Sequence, residues 1–302
     1  MNISYDAYRV FFYTAKYRSF TLAARALQNS QPNITRTIKN LEQDLGCTLF
    51  LRSKRRVELT QDGETLYRHV AVAFEQLQAG EEALLRGSGL DGGILRIAAT
   101  EIALRVFLLP VLSQFRARYP GVPIKLMNGS TPAAIEELNK GLADLAFVTT
   151  PADITEKLRS TPLADVQEVA VCGGTYRSLT GSVVTLEALA RYPMISLGEN
   201  GSAYRFYTQF FADHRVPFEP DIEVATADLI LPMVKANLGI GFVPDSFLSD
   251  DEGSSVYPID LAERIPLRKV CLVESVRHPA TAAVKELKKV CFAHSAAVGL
   301  VP

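Results

Sequence analysis

Two helices joined by a short break are indicated by residues 19–46, SFTLAARALQNSQPNITRTIKNLEQDLG. We expect the first helix to be short and capped by Thr21, because a threonine hydroxyl accepts an unpaired N–H of the first turn. Ser30 suits the N-cap of a longer second helix, with Pro32 in its first turn, where a missing N–H costs nothing. Gly46 is expected to end that helix.

The longer helix has one apolar and one polar face. Its apolar residues recur at spacings of four, three and four, and are Ile34, Ile38, Leu41 and Leu45. We expect them to pack on Ala24 and Leu27 of the short helix. The opposite face is polar and basic, and consists of Gln31, Asn33, Thr35, Arg36 and Lys39. A helix-turn-helix uses such a face to place side chains in the major groove of DNA.

A helix before this pair and a basic hairpin after it complete the N-terminal segment. Apolar residues recur at helical spacing from Tyr5 to Tyr17, which predicts a first helix. Residues 49–52 and 57–59 favour two short strands, and they flank the basic sequence SKRR at residues 53–56. We interpret the whole as a winged helix-turn-helix, mostly helical, whose basic tip lies over DNA phosphates.

Charge is distributed unevenly along the chain. Residues 1–60 contain ten Lys or Arg and four Asp or Glu, a net charge of +6. The whole chain contains 32 basic and 33 acidic residues, so residues 61–302 contain 22 and 29, a net charge of −7. A basic head on an acidic body indicates that the head binds a polyanion.

The N-terminal segment resembles the LysR-type transcriptional regulators. The resemblance lies in SFTLAARAL at residues 19–27, SQPNITR at 30–36, LEQDLG at 41–46, LFLR at 49–52 and LTQDG at 59–63. It implies a sequence-specific regulator of double-stranded DNA whose operator has two half-sites related by two-fold symmetry. The candidate DNA contacts are Arg25, Gln31, Pro32, Asn33, Thr35, Arg36, Lys39, Arg52, Lys54, Arg55 and Arg56.

A long helix is predicted from Gln61 to about Arg86, because apolar residues recur at heptad-like spacing, with Phe74 beside them. In the family that the chain resembles, the equivalent helix pairs with that of a second subunit. The resemblance therefore implies a homodimer, which can assemble further into a homotetramer. The candidate dimerisation residues are Leu66, Val70, Ala73 and Leu77. The alternative is that this helix packs against its own domain.

The rest of the chain is predicted to be α/β, because β-rich apolar runs alternate with helical stretches from Ile94 onward. We expect mainly parallel sheets. The predicted strands are residues 95–98, 124–127, 145–148, 169–172, 194–197, 222–224, 241–243 and 270–273. The predicted helices are residues 102–118, 133–140, 186–190, 203–214, 229–237 and 280–293.

Two further stretches, NKGLADLAF at residues 139–147 and VKANLGIGFVP at 234–244, resemble the effector domain of the same family. This implies two α/β lobes similar to those of periplasmic binding proteins. The predicted division is a DNA-binding domain at 1–60, a dimerisation helix and hinge at 61–92, and an effector-binding domain at 93–302. Lobe I would take residues 94–164 and 268–302, and lobe II residues 165–267.

Hydroxyl side chains follow several of the predicted strands. In open α/β sheets, ligands bind at the carboxyl ends of strands, where helix N-termini supply free N–H groups. Ser and Thr at such turns are most often plain N-caps, although the resemblance places effector contacts at Thr100 and Ser202. The candidate effector contacts are Thr100, Glu101, Gly129, Ser130, Thr149, Glu199, Ser202 and Thr226.

Two carboxylates are expected to flank the cleft, since Glu101 follows Thr100 and Glu199 lies three residues before Ser202. An effector with an ammonium group beside a carboxylate, such as an amino acid, would suit both these acids and the helix N-termini. A small carboxylate is the alternative, which the resemblance implies. Acids in the first turn of a helix also favour its dipole without any ligand.

The four cysteines, Cys47, Cys172, Cys271 and Cys291, form no CxxC pair. We interpret them as buried thiols, and a redox-sensing regulator is the alternative. No HExxH, GxSxG or P-loop motif occurs, and the weak glycine signal Gly239-Ile240-Gly241 leads into a strand. We therefore expect no enzyme, metal or cofactor.

The sequence also bears on the setting in which the protein works. A solute-binding protein would suit the body, but would need an export signal in place of the basic head. No apolar run approaches the length of a transmembrane helix, so we expect a cytoplasmic protein with no membrane partner. RNA polymerase is a further candidate partner, beside DNA and the effector.

Overall fold

A computed structural model describes residues 3–52, 57–85, 94–199, 201–249, 255–277 and 280–297. The chain forms two compact units, Met1–Leu85 and Arg86–Pro302. Within the described ranges, no helix is long and apolar enough to cross a lipid bilayer. The predicted wing tip at residues 53–56 and the predicted hinge at 87–93 lie outside the described residues.

In its described residues, the N-terminal unit consists of four helices and a two-stranded sheet. These are α1 (Tyr5–Tyr17), α2 (Phe20–Ala26), α3 (Gln31–Leu45), β1 (Phe50–Arg52), β2 (Val57–Leu59) and α4 (Gln61–Leu85). β1 and β2 pair antiparallel, with Leu51 opposite Glu58. The predicted helix-turn-helix and its two wing strands are confirmed.

Capping side chains explain where these helices begin and end. Ser30 caps α3 by accepting a first-turn N–H at 3.4 Å, and Gly46 ends it with a left-handed φ of 69°, as predicted. The prediction that Thr21 caps α2 is wrong. Ser19 caps it instead, with its Oγ accepting a backbone N–H at 3.2 Å, because the helix already begins before Thr21.

One apolar core connects the helices of this unit. Ile34, Ile38 and Leu41 of α3 are completely buried, as their spacing predicts. The other members of the predicted contact are buried or half-buried, and are Ala24, Leu27 and Leu45. Phe74 of α4 stacks on Phe12 of α1 with 4.7 Å between ring centroids, so α4 shares the core of the helix-turn-helix.

The described part of the C-terminal unit contains two five-stranded sheets. The first consists of β3 (Leu95–Ala99), β4 (Ile124–Asn128), β5 (Leu145–Thr149), β6 (Leu158–Val166) and β12 (Arg268–Ser275). The second consists of β7 (Glu168–Gly173), β8 (Met194–Leu197), β9 (Ile222–Val224), β10 (Ile240–Pro244) and β11 (Val256–Ile259). We call the parts built on these sheets lobe I and lobe II. Every predicted strand is found.

Helices cover both faces of each sheet. They are α5 (Glu101–Ala103), α6 (Leu109–Arg118), α7 (Thr131–Asn139), α8 (Leu186–Leu189), α9 (Ser202–Asp213), α10 (Ile230–Lys235), α11 (Ser246–Ser249) and α12 (Ala282–Ala297). A π-helical turn, Leu104–Leu108, joins α5 to α6, and 3-10 turns occupy Gly174–Thr180 and Ala227–Leu229. The predicted helices are found with shifted ends, and α11 was not predicted.

The sheets are mixed, so the prediction of mainly parallel sheets is wrong. The strand order is β4-β3-β5-β12-β6 in lobe I and β11-β7-β10-β8-β9 in lobe II. β3 pairs parallel with β4 and β5, and β8 with β9 and β10, whereas β12 and β7 pair antiparallel with both neighbours. The unpredicted strands β6 and β11 contain Pro162 and Pro258. Both are edge strands, where proline is tolerated although it weakens the strand signal.

The lobes are linked by two chain crossings and a shared core. The chain passes from lobe I to lobe II at Gln167 and begins its return strand at Arg268. The apolar cluster beneath the crossings includes Ile102 and Phe107 of lobe I and Phe247 of lobe II. Gly241 of the weak glycine signal lies in β10, where it packs against α10 and forms no dinucleotide loop.

Candidate DNA interface and effector cavity

The polar face of α3 is open to solvent, opposite the buried face that anchors the helix. Gln31, Pro32, Arg36 and Lys39 are exposed, and Arg25 is exposed at the end of α2. Asn33 and Thr35 are half-buried. These are the predicted DNA contacts of the helix-turn-helix, and all of them except Arg25 lie on α3.

Neighbouring amides hold the central arginine of this face. The guanidinium of Arg36 donates to Oδ1 of Asn33 at 3.4 Å, and Nδ2 of Asn33 donates to Oδ1 of Asn29 at 3.0 Å. Asn29 Oδ1 also accepts the backbone N–H of Ser30 at 2.8 Å. These hydrogen bonds connect the helix-turn-helix break at Asn29 to Arg36.

The wing strands are fixed to α3 and to the start of α4. Glu42 Oε1 accepts the backbone N–H groups of Leu49 at 2.8 Å and Phe50 at 3.2 Å. A side chain at Gly63 would collide with the carbonyl oxygen of Leu49, so glycine is required for this approach. The wing therefore leaves the core at a defined place. Its predicted contacts Lys54, Arg55 and Arg56, and the side chain of Arg52, lie outside the described residues.

Of the four candidate dimerisation residues of α4, two contact the core of their own unit and two are exposed. Val70 is 7% exposed and packs in the core of its own unit, and Leu66 is half-buried against the same core. Ala73 is exposed, and Leu77 is 47% exposed. Val70 therefore packs within its own domain, which is the alternative to a dimer contact. Of the four predicted residues, Ala73 and Leu77 are the exposed ones.

A cavity of about 500 Å³ lies between the two lobes, at the ends of strands β3, β4, β5, β8 and β9. Every effector contact predicted from the sequence lines it: Thr100, Glu101, Gly129, Ser130, Thr149, Glu199, Ser202 and Thr226. They come from both lobes, in agreement with the expectation that ligand sites form where strands end. Contact with an effector stays a prediction.

Two of these hydroxyls cap helices, whereas that of Ser202 does not. Thr100 Oγ1 caps α5 by accepting a first-turn N–H at 3.3 Å, and Ser130 Oγ caps α7 in the same way at 3.4 Å. Ser202 is different, because Gly201 holds the N-cap position of α9 and supplies no capping side chain. Oγ of Ser202 is buried and has no hydrogen-bond partner among the described residues.

A buried arginine forms part of the cavity wall and ties the lobes together. Arg268 is 1% exposed. Its Nη1 donates to Oε1 of Glu168 at 2.6 Å, Nη2 donates to Oγ1 of Thr149 at 3.0 Å, and Nε donates to the carbonyl of Thr150 at 2.6 Å. Glu168 begins β7 of lobe II, whereas Arg268 begins β12 of lobe I. The ion pair therefore joins the two crossings.

Sequence reasoning missed several residues of the cavity wall. Arg268, Asn128 and Glu223 also line it, and Glu168 lies behind Arg268. Asn128 Nδ2 donates to Oε2 of Glu101 at 2.6 Å, which fixes that carboxylate. Asn128 and Glu223 lie near the ends of β4 and β9, so the rule that identified the hydroxyls could have found them. The pairing of Arg268 with a glutamate a hundred residues away left no local signal.

Burial favours the protonated form of the cysteine thiols. Burial raises the pKa of all four thiols, Cys47, Cys172, Cys271 and Cys291, that of Cys291 to about 12. A redox-sensing thiol needs the opposite shift, because the thiolate is the reactive form. All four are free. In the part of the chain that the structure describes, no three His, Cys, Asp or Glu side chains could hold a metal ion.

Two known protein families match the chain, one within each of its two compact units. Residues 5–64 match the family described as bacterial regulatory helix-turn-helix protein, lysR family, and residues 88–296 match the LysR substrate binding domain. The regulator AlsR of Bacillus subtilis is 31% identical over 244 residues, 78% of each chain. The regulator CysB of Burkholderia cenocepacia is 29% identical over 244 residues, 80% of this chain and 78% of its own.

Solved structures share the fold. Full-length CbnR complexed with its target DNA has a TM-score of 0.72 at 18% identity, covering 97% of this chain and 99% of CbnR. A cysteine-to-aspartate variant of full-length OxyR from Pseudomonas aeruginosa has a TM-score of 0.62 at 21% identity, covering 96% of this chain and 95% of its own. The family matches cover most of the chain, from the helix-turn-helix to α12. The chain therefore belongs to the LysR family of DNA-binding transcription regulators.

Proposed function

We propose that this regulator binds an operator of two half-sites through α3 and the wing, and that a small molecule in the cavity between the lobes controls this binding. Family membership makes the chain a transcription regulator with an effector-binding domain, and not an enzyme. The observation that carries the proposal is the common position of the predicted effector contacts, which all line one cavity of about 500 Å³. That volume is typical of small-molecule sites.

Base reading is assigned to Gln31 and Arg36. Both side chains are exposed near the N-terminus of α3, the part of a recognition helix that contacts base edges. Arg36 is further oriented by Asn33, which suits a bidentate contact with guanine. The other exposed residues of the face position the helix on the backbone. The basic wing, residues 52–56, is assigned to phosphates or the minor groove.

Two half-sites require two copies of the chain. We assign dimerisation to the exposed side of α4, at Ala73 and Leu77, and keep the homotetramer as the next level of assembly. An exposed leucine on a long helix supports this assignment, since a partner would remove its apolar surface from water. The resemblance of α4 to the family's pairing helix also supports it.

The effector is proposed to act by changing the angle between the lobes, and thereby the spacing of the DNA-binding heads. Three arginine contacts cross from lobe to lobe around the shared core. Arg268 pairs with Glu168 at 2.6 Å, Arg205 pairs with Asp153 at 2.9 Å, and the guanidinium of Arg105 lies 3.8 Å from the ring centroid of Phe247. A ligand that touches both lobes alters the geometry of these contacts.

The setting follows from the proposed function. A regulator that reads operators works where the chromosome lies, so we assign the protein to the cytoplasm, with no membrane partner. RNA polymerase remains a candidate partner at promoters.

A gel-shift titration on the DNA beside the protein's own gene tests the proposal. We expect binding at least about a thousandfold tighter than to random DNA of equal length, as specific regulators achieve. The logarithm of the binding constant should fall linearly with the logarithm of salt concentration, because phosphate contacts release counterions. Equal affinity for both DNAs at every salt concentration would contradict the proposal.

A further inference from the structure

We propose that the effector of this regulator carries a positively charged amine, held by Glu101, Glu199 and Glu223 at the cavity wall. The inference rests on the proposed function, because it concerns the chemistry of the same cavity. The acids come from both lobes: Glu101 begins α5, Glu199 follows β8 and Glu223 lies in β9. Among the described residues that line the cavity, Arg268 is the only basic one.

The charge of Arg268 is already balanced by the protein. Its guanidinium is buried and donates to Glu168, Thr149 and the carbonyl of Thr150. A purely anionic ligand would therefore meet three glutamates and no unpaired cation among the described lining residues. Like charges brought together in a partly enclosed site repel, so an amine improves the match.

Glu101 has a structural explanation, whereas Glu199 and Glu223 are exposed acids near the ends of strands. Glu101 lies in the first turn of a helix, where an acid favours the helix dipole without any ligand. Glu223 has no such reason, because it lies in a strand. Its Oε2 would lie 3.4 Å from a Cβ built on Gly198, which places this carboxylate beside the turn that precedes Glu199. Among the described residues, none of the three forms an ion pair with lysine or arginine.

A second feature indicates that the same ligand also carries a polar group such as a carboxylate. Ser202 is 3% exposed and lines the cavity, and its Oγ has no partner in the described part of the chain. A buried hydroxyl without a hydrogen bond is costly, so a ligand group that bonds to it is favoured. The first turn of α9 around it lacks a side-chain cap, which leaves N–H groups for an anion. Amine and carboxylate together describe an amino acid or a close derivative.

A metal cation does not fit this arrangement. The three glutamates do not form a group that could hold a metal ion, which needs several ligand atoms within about 2–2.6 Å. An organic amine has no such requirement, since each of its N–H groups donates over a longer distance in its own direction.

The test uses the full chain and matched triplets of compounds. Each triplet consists of an L-amino acid, the carboxylic acid without its amine, and the amine without its carboxylate, for example leucine, 4-methylpentanoate and 3-methylbutylamine. The panel covers the common amino acids, and binding is measured first by thermal shift and then by calorimetry. We expect amine-bearing compounds to raise the melting temperature and the carboxylic acids of the same triplets to have less effect.

Variants then locate the amine. Glu101→Gln, Glu199→Gln and Glu223→Gln keep the shape and remove the charge, and we expect the best amine-bearing compound to bind about tenfold more weakly to Glu223→Gln. Glu219→Gln is the matched control, because Glu219 is exposed and does not line the cavity. Its affinity should equal that of the parent. Ser202→Ala should weaken the binding of compounds with a carboxylate more than the binding of plain amines.

Three results would overturn the proposal. They are equal or tighter binding of the carboxylic acids, unchanged affinity in every glutamine variant, and no stabilisation by any amine-bearing compound of the panel. None of them touches the DNA-binding part of the proposed function, which is tested without ligand. Loss of specific DNA binding would overturn that function whatever the panel shows.

Discussion

The two units place their candidate functional residues in opposite ways. In the N-terminal unit, the predicted contacts of α3 lie within nine residues, from Gln31 to Lys39, on an exposed helix face. In the C-terminal unit, the cavity wall runs from Thr100 to Arg268, and part of it is buried. A recognition helix presents its polar face to DNA when its apolar face is anchored in the core. A cavity that encloses a small molecule needs many elements to meet.

Two serines at helix starts illustrate the difference. Ser30 is exposed and caps α3 with its Oγ, so its hydroxyl serves the fold. Ser202 is buried in the first turn of α9, and its Oγ has no partner among the described residues. The same residue type at similar positions therefore caps a helix in one unit and does not in the other.

The largest expected effect concerns the ion pairs of the two units. Glu168→Ala leaves the buried guanidinium of Arg268 without its partner, so the C-terminal unit should lose about 3–5 kcal/mol of unfolding free energy. Asp6→Ala removes the exposed pair with Arg9 in the N-terminal unit and should cost below about 1 kcal/mol. Denaturant unfolding of both variants measures this. Equal losses of unfolding free energy would contradict the expected difference between the buried and the exposed ion pair.

The second prediction separates core from surface on α4. Leu77→Asp should weaken self-association about tenfold or more and leave the N-terminal unit folded, because Leu77 is 47% exposed in the single chain. Val70→Asp should instead lower the stability of that unit, since it places a charge in the core. Sedimentation velocity and thermal unfolding distinguish the two effects. If Leu77→Asp sediments like the parent, α4 dimerises elsewhere or not at all.

The smallest expected effect compares the two serines. Ser30→Ala should destabilise its unit by about 1 kcal/mol, the usual cost of losing an N-cap. Ser202→Ala should change stability by less than about 0.5 kcal/mol, because its Oγ makes no hydrogen bond in the protein. Thermal unfolding of the two variants is the measurement. A larger loss from Ser202→Ala would indicate that this hydroxyl serves the fold.

The sequence was most informative where structure is local. Capping residues and apolar spacing within residues 5–59 predicted α1, α3 and both wing strands, because each signal lies within a few residues of the element it sets. The wrong prediction of Thr21 as the N-cap of α2 also concerned residues close together in the sequence. Two hydroxyl residues, Ser19 and Thr21, competed for one cap, and the spacing to the apolar face did not decide between them.

In the C-terminal unit, the sequence predicted elements better than their arrangement. Strand positions follow from apolar runs, but pairing direction depends on the crossing at Gln167 and the return at Arg268, which no local pattern marks. The cavity hydroxyls could be predicted because they follow strands. Arg268 could not, because its partner Glu168 lies a hundred residues away and meets it only once both sheets are folded.

Replacing Arg36 on α3 and Lys54 in the wing distinguishes base reading by the helix from phosphate binding by the wing. On the operator, Arg36→Ala should cost about 1–3 kcal/mol of binding free energy, with a much smaller loss on random DNA. Lys54→Ala should weaken both DNAs alike and reduce the salt slope by about one. Gel-shift titrations of both variants on both DNAs measure this. Equal losses from Arg36→Ala on operator and random DNA would show that Arg36 does not read bases.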